Sequence, residues 1–260
     1  MPGATELVEL ACALSRAAGT LIVEGRRRGV RDVDTKSSAT DMVTEFDRQS
    51  ERLIVEGILA RRPDDGIVGE EGAHVTGTSG VEWVIDPIDG TTNYLYGIPV
   101  YAVSIAARDD DGLAAGAVHV PMLGETFHAT RGGGAYLDGR AIRCSRCVDL
   151  STALVATGFN YDPARRVEQG AVLQHLIGVV RDVRRIGSAA TDLCFVACGR
   201  VDAFYERGLS PWDVAAGELV ALEAGALVTS FDGGPAVGEA LAANPTLHSE
   251  MRDLLARAGA

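Results

Sequence analysis

The sequence is short of basic residues, of cysteine and of long apolar runs. Its 24 lysines and arginines face 36 aspartates and glutamates, a net charge of −12, which argues against broad binding to nucleic acid or anionic membranes. No apolar run approaches the roughly 20 residues of a transmembrane helix, and no signal peptide is apparent. Five cysteines cannot all pair within the chain, which is typical of a reducing compartment. We therefore predict a cytoplasmic protein that binds neither nucleic acid nor membrane.

Helical and strand-like patterns divide the chain into two halves. The first half begins with helices predicted over residues 5–25 and 44–61, separated by a polar loop at 26–42, and continues with strand-like runs. The second half alternates strands near 154, at 183, 201–205 and 227–230 with helices over 163–178, 188–198, 213–224 and 246–258. This order predicts a layered α+β unit, residues 1–145, joined to an α/β unit, residues 146–260, in one compact catalytic unit.

The most informative stretch is the run from Asp86 to Asn93, directly after an apolar strand. Its two carboxylates, Asp86 and Asp89, are three residues apart; Pro87 restricts the backbone and Gly90 permits a turn, so that both can converge on one point. Oxygen ligands suit Mg²⁺, and backbone amides at a following helix start suit phosphate. An isolated Asp-x-x-Asp-Gly is as often a strand end with an Asx turn, but the full run with its strand favours a binding site.

Three further acidic residues stand at the ends of predicted elements, where sites are commonly built. Asp41 precedes the second helix, Glu70 follows a short apolar run, and Asp213 opens a helix after Trp212. Each alone is easily a helix cap or a solvated charge. Together with the two aspartates at 86 and 89 they form a plausible carboxylate set for two metal ions.

These motifs resemble the inositol monophosphatase family of Mg²⁺-dependent, typically lithium-sensitive phosphatases. Five blocks match in the family's order: Asp41 to Asp47, Gly69 to Glu71, Asp86 to Asn93, Arg185 to Ala189, and Trp212 to Gly217. The resemblance implies an inositol monophosphatase, or sugar phosphatase-like, fold: a layered αβαβα sandwich of α+β and α/β parts.

The resemblance also implies roles for individual residues. Glu70, Asp86 and the carbonyl of Ile88 would bind a first Mg²⁺, and Asp86, Asp89 and Asp213 a second. Glu70, Thr91 and Asp41 would be the catalytic residues that orient or activate the attacking water.

The implied substrate contacts come from both halves of the chain. They are Asp89, Gly90, Thr91, Gly187, Ser188, Ala189, Glu206 and Asp213, with the amides of Gly90 and Thr91 on the phosphate and Glu206 on the alcohol. A solvated acid at the end of a strand is the less favoured interpretation of Glu206. Residues 157–166 match no pattern that assigns a substrate.

The sequence therefore predicts a Mg²⁺-dependent phosphomonoesterase acting on myo-inositol 1-phosphate or a related polyol phosphate. The same chemistry on histidinol phosphate, fructose 1,6-bisphosphate or a 3′-phosphonucleotide is the main alternative. A partner-binding regulatory role on a phosphatase scaffold is a third possibility, because fold alone does not fix function. The resemblance also implies inhibition by lithium and a homodimer.

Overall fold

The structure is a computed structural model, and it describes residues 3–28, 33–35 and 42–260. Its α-helices in chain order are Ala4–Arg28 (α1), Glu45–Arg61 (α2), Thr91–Tyr96 (α3), Pro163–Leu176 (α4), Ala189–Ala197 (α5), Pro211–Glu223 (α6) and Pro245–Arg257 (α7), with a short 3₁₀ helix at Leu150–Thr152. Its strands are Val33–Thr35 (β1), Met42–Thr44 (β2), Gly66–Gly69 (β3), His74–Val75 (β4), Glu82–Asp89 (β5), Ala102–Asp109 (β6), Gly112–Val120 (β7), Glu125–Thr130 (β8), Gly134–Leu137 (β9), Arg140–Ala141 (β10), Leu154–Thr157 (β11), Asp182–Arg184 (β12), Ala203–Arg207 (β13), Leu227–Thr229 (β14) and Glu239–Ala243 (β15).

The first large sheet has eight strands in the order β10-β9-β8-β7-β6-β5-β3-β4. Its neighbours are antiparallel except for β3 and β5, which run parallel. Side chains of β5 alternate between its two faces: Trp83 and Ile85 pack in the cluster formed with α1 and α2, whereas Val84 packs in the cluster formed with α5 and α6. The sheet is therefore covered by helices on both faces.

The second large sheet has five strands in the order β12-β11-β13-β15-β14. Phe204 and Ala242 face α5 and α6, and Leu241 faces α7 on the other side together with Tyr205. Helices α5 and α6 thus lie between the two sheets, and the layers follow the order helices, sheet, helices, sheet, helices. This confirms the predicted αβαβα sandwich.

Most predicted elements are present, with ends that local chemistry determines. Thr44 caps α2 as predicted, accepting from the amides of Phe46 and Asp47. Helix α6 begins at Pro211, two residues before the predicted start, because Ser210 and Asp213 form a capping box around a proline suited to the first turn.

Two predictions were wrong. Residues 26–42 were expected to be a loop, but α1 continues to Arg28, and β1 pairs antiparallel with β2. No strand was expected between residues 230 and 246, yet β15 lies between β13 and β14.

Among the described residues no helix combines the length and apolar character needed to cross a bilayer.

Candidate metal centre

Strand β5 delivers two of the predicted ligands through an irregularity in its pairing. In a regular strand, residues three apart point to opposite faces of the sheet. Here the register between β5 and β6 shifts between Asp86 and Asp89, around Pro87, which has no N–H to donate to the ladder. One carboxylate oxygen from each of Asp86, Asp89 and Asp213 lies within 4.8 Å of the others.

Helix α5 orients the carboxylate of Asp89. Its Oδ2 accepts a hydrogen bond from the Ser188 hydroxyl at 2.6 Å and another from the Ala190 amide at 2.7 Å. Ser188 is also the N-cap of α5 and accepts from the Thr191 amide. The start of α5 thereby holds Oδ2 of Asp89 in place.

The other two aspartates are held in a similar way. Asp86 Oδ1 accepts from the Ile88 amide at 3.0 Å. Asp213 Oδ2 accepts from the Ser210 amide at 2.6 Å, which belongs to the capping box of α6. In each of the three carboxylates, therefore, at least one oxygen is held by a hydrogen bond from a nearby backbone amide or hydroxyl.

Glu70 lies in the turn after β3, next to the end of β5. Its amide donates to the Ile85 carbonyl at 3.1 Å, and its carboxyl is hydrogen-bonded to that of Asp86. Glu70 is not one of the three residues whose ligand atoms all lie within 4.8 Å of one another. The structure thus brings it to the edge of the cluster, on the Asp86 side.

The loop between β5 and α3 brings the two halves of the chain into contact. Gly90 caps α3 with a left-handed φ of 95°, and a Cβ there would lie 2.9 Å from the Gly187 carbonyl oxygen. The hydroxyl of Thr91 lies 3.0 Å from the Ile88 carbonyl and 3.2 Å from Asp47 Oδ1, so its proton has two acceptors within reach. The Thr91 hydroxyl is therefore held between α2 and the end of β5, and its predicted role in catalysis stays a prediction.

Burial raises the pKa of each of the three aspartates. The pKa of Asp86 is well above its usual range because of burial and then the charge of Glu70, and that of Asp213 because of burial and then the charge of Asp89. Burial raises the pKa of Asp89 to about 6, although bonds from Ser188 and Ala190 oppose the shift. Among the described residues no lysine or arginine forms an ion pair with these three.

Three crowded, buried carboxylates without a counter-ion are costly to keep ionised. A hard divalent cation removes this cost, and carboxylate and carbonyl oxygens are the ligands that Mg²⁺ takes. The donor set therefore fits the metal that the sequence predicted.

The predicted alcohol-binding residue, Glu206, stands at the end of β13. Burial raises its pKa to about 7, opposed by the charge of Arg185 and reinforced by that of Asp89. Gly158 packs directly against its carboxylate, where a Cβ would overlap it. Glu206 lines a cavity of about 340 Å³ together with Thr157, Gly158 and Asn160. A second cavity, of about 310 Å³, is lined by Thr92, Tyr96, Phe159, Asn160, Tyr161, Arg166 and Arg185. Part of the unassigned segment 157–166 thus lines both cavities, and the second cavity reaches Thr92 on α3.

One predicted residue cannot be placed, and others near the site were missed. Asp41 lies outside the described residues. The sequence assigned no role to Ser50 or Glu51, although both are buried on α2 and contact segments that carry ligands. Their signal was present: with Asp47 they are polar residues on the face of α2 that also buries Ile54 and Ile58.

A model of the inositol monophosphatase family matches residues 4–258. The chain is 48% identical over 236 residues to "Inositol-1-monophosphatase SuhB" of Mycobacterium tuberculosis, covering 86% of this chain and 81% of the relative. It is 39% identical over 264 residues to "Nus factor SuhB" of Escherichia coli, covering 97% and 98%. Among solved structures, an IMPase from Thermotoga maritima superposes with a TM-score of 0.90 at 33% identity, covering 98% of each chain. These similarities and the phosphatase scaffold show that the chain belongs to the inositol monophosphatase family.

Proposed function

We propose that this protein is a Mg²⁺-dependent phosphomonoesterase that hydrolyses myo-inositol 1-phosphate or a related polyol phosphate. The observation that carries the proposal is the cluster of Asp86, Asp89 and Asp213, whose ligand atoms lie within 4.8 Å of one another. Carboxylates so arranged, between a helix start and a glycine turn, suit a divalent cation and a phosphate together.

The residues of the centre divide into metal ligands and groups that hold the reactants. Glu70, Asp86 and the Ile88 carbonyl are proposed for one Mg²⁺, and Asp86, Asp89 and Asp213 for a second. Mg²⁺ bound there supplies a lower pKa for the attacking water and neutralises phosphate charge.

Other groups of the chain orient the water and the ester. The Thr91 hydroxyl, fixed between Ile88 and Asp47, is placed to accept a hydrogen bond from the water or to donate one to it. Glu70, and Asp41 from the preceding segment, are proposed to orient the water or take its proton. The amides of Gly90 and Thr91 are proposed to donate to the phosphate.

The alcohol side of the substrate is proposed to meet Glu206 and the start of α5. Gly187, Ser188 and Ala189 lie at that start, where Ser188 also contacts Asp89. A carboxylate accepts hydrogen bonds from the hydroxyls of a polyol, which supports an inositol ester. The cavity of about 340 Å³ that Glu206 lines is at the small end of the range for ligand pockets and suits a six-membered polyol.

Hydrolysis of histidinol phosphate or fructose 1,6-bisphosphate would use the same metal ligands. These substrates would differ from inositol 1-phosphate only in the contacts that the alcohol portion makes with this pocket. Phosphate release should be compared among the three esters at fixed Mg²⁺ and again with EDTA. Preference for inositol 1-phosphate supports the proposal. Preference for histidinol phosphate or the bisphosphate would leave the metal-ligand assignment unchanged and would show that the proposed substrate is wrong.

A second candidate function is a regulatory role through a partner, because the E. coli relative is named a Nus factor. The ligand set speaks against this as the sole function, since Glu70, Asp86, Asp89 and Asp213 are all retained. In the organism that carries it, the native gene should be replaced by one that encodes the Asp89→Asn variant. A normal phenotype with an inactive enzyme would favour the regulatory role.

Three further properties belong to the proposal. Lithium, a small hard cation, is expected to inhibit by competing at a Mg²⁺ site. A cytoplasmic location is supported by five free cysteines. A homodimer is supported by exposed apolar side chains at Tyr96, Ile98, Met122 and Leu123, and is tested by analytical ultracentrifugation.

A further inference from the structure

One face of α2 carries three buried polar side chains, and each contacts a different segment of the metal centre. Asp47 Oδ1 lies 3.2 Å from the Thr91 hydroxyl. The Ser50 hydroxyl donates to the carbonyl of Pro87, between the two aspartates of β5, at 3.0 Å. Glu51 reaches the turn that carries Glu70. The helix is thus a common support for segments that are far apart in sequence.

Glu51 spans the Glu70 turn with both of its carboxylate oxygens. Oε2 accepts from the Glu71 amide at 2.8 Å, and Oε1 accepts from the Ala73 amide at 3.0 Å. The Glu70 amide is held from the other side by the Ile85 carbonyl of β5. With the backbone fixed on both sides of Glu70, its carboxylate is directed toward Asp86.

Gly69 supplies the space into which Glu51 fits. A Cβ at position 69 would overlap the Glu51 carboxylate, and it would lie 3.1 Å from the Ala73 Cβ. Gly69 is not among the glycines with positive φ, so its backbone does not require glycine. The absence of a side chain at 69 is explained by the approach of the carboxylate.

Burying the Glu51 carboxylate costs folding free energy, so stability alone does not explain a glutamate at this position. It is 6% exposed and, among the described residues, has no lysine or arginine partner, so two amides offset its desolvation. It also lies close to the negative charges of Glu70 and Glu71. Groups next to a metal ligand commonly orient that ligand through hydrogen bonds. A buried carboxylate that holds the turn carrying Glu70 is explained by such a role.

We propose that Glu51 is a positioning residue for the metal centre, which holds the turn from Gly69 to Ala73 and thereby places Glu70 for Mg²⁺. The proposal rests on the metal binding in the proposed function. Loss of a residue that only supports a ligand typically weakens metal affinity about 10- to 100-fold.

The test is Mg²⁺ binding by isothermal titration calorimetry on protein stripped with EDTA, with the melting temperature of the metal-free protein as a check on folding. Glu51→Ala and Gly69→Ala are each expected to raise the Kd for Mg²⁺ about tenfold or more. Glu56→Gln, an exposed acid of the same helix, is the matched control and should leave the Kd unchanged.

The double variant separates positioning from a general loss of stability. Because the alanine at 69 disturbs the site by displacing the Glu51 carboxylate, Gly69→Ala should add little in the Glu51→Ala background. A Kd within twofold of wild type in folded Glu51→Ala, or effects that multiply in the double variant, would overturn the proposal. Should Glu51→Ala fail to fold, an unchanged Kd in Gly69→Ala would overturn it as well. Wild-type protein that binds no Mg²⁺ would overturn the proposed function along with it, whereas equal binding by wild type and variants overturns only the role of Glu51.

Discussion

The carboxylate of Asp89, at the end of β5, accepts a 2.6 Å hydrogen bond from the hydroxyl of Ser188, ninety-nine residues later at the start of α5. Asp213 on α6 supplies a third carboxylate to the same cluster. The candidate centre is therefore assembled from both halves of the chain, and neither half holds it alone.

Replacement of Asp89 by asparagine should abolish hydrolysis while leaving the fold intact. The amide oxygen of asparagine still accepts from Ser188 and Ala190, but its NH₂ group then faces the cation position and cannot bind a metal. We expect kcat/KM to fall more than the 10- to 100-fold that follows loss of a residue merely supporting a ligand. The control is Asp253→Asn, an exposed acid on α7. Full activity in Asp89→Asn would contradict the two-metal assignment.

Mg²⁺ should stabilise the protein. A cation that binds only the folded chain at a hundred times its Kd contributes about 2.7 kcal/mol, which for a chain of this size corresponds to roughly 5–10 °C in Tm. Differential scanning fluorimetry with Mg²⁺ and then EDTA measures the shift. An unchanged Tm over this range would argue against a cation in the carboxylate cluster.

The hydroxyl of Thr91 should be needed for hydrolysis, so substitutions that keep it and that remove it should have different rates. Thr91→Ser keeps the hydroxyl between Ile88 and Asp47, whereas Thr91→Val keeps the shape and removes it. We expect serine to retain most of kcat and valine to lose at least about tenfold, as for a lost general acid–base contact. Similar rates in both variants would remove the hydroxyl from the mechanism.

Glu206 should affect substrate choice more than chemistry. With Glu206→Gln we expect kcat/KM for inositol 1-phosphate to fall about 10- to 100-fold, the value of a hydrogen bond to a charged group. The rate on p-nitrophenyl phosphate, which has no polyol hydroxyls, should change little. Equal losses on both esters would place Glu206 in the catalytic centre instead.

A buried acid away from the metal centre predicts a pH effect on stability. Burial raises the pKa of Glu218 on α6 to about 7. Its folded-state pKa exceeds the unfolded value, so its stabilising effect is complete at low pH and is lost as pH rises through about 7. Arg108, Asp111, Arg131 and Glu223 line the same groove. Glu218→Gln should therefore flatten the decline of Tm between pH 5 and 8, and a parallel decline in both proteins would contradict this.

Most helices and strands were predictable because hydrophobic periodicity and helix caps are local signals, whereas the order of the layers followed from the family resemblance. Thr44 before α2 marked a helix end that the structure retains. Strand β15 was not predictable, because Glu-Ala-Leu-Ala-Ala favours a helix by intrinsic propensity. Its strand form comes from pairing on both sides with β13 and β14, which no local window contains. The division of the chain at residues 145 and 146 stays a prediction.

The carboxylates of the centre were found because they stand in motifs at element ends. Ser50 and Glu51 were not: their place on the apolar face of α2 could be read from the sequence, but a polar residue within a helix does not indicate which distant backbone it contacts. Gln169 is a similar case: its side chain accepts from the amide of Asn160 and donates to the carbonyl of Arg207, which lies 38 residues further along the chain. Such contacts depend on tertiary packing, so sequence patterns alone did not reveal them.

The most direct test of the central claim is phosphate release from inositol 1-phosphate and from histidinol phosphate, each with Mg²⁺ and with EDTA. The account predicts hydrolysis that requires Mg²⁺ and favours the inositol ester, with both activities lost in Asp89→Asn. Hydrolysis that persists in EDTA, or no hydrolysis of either ester with Mg²⁺, would contradict it.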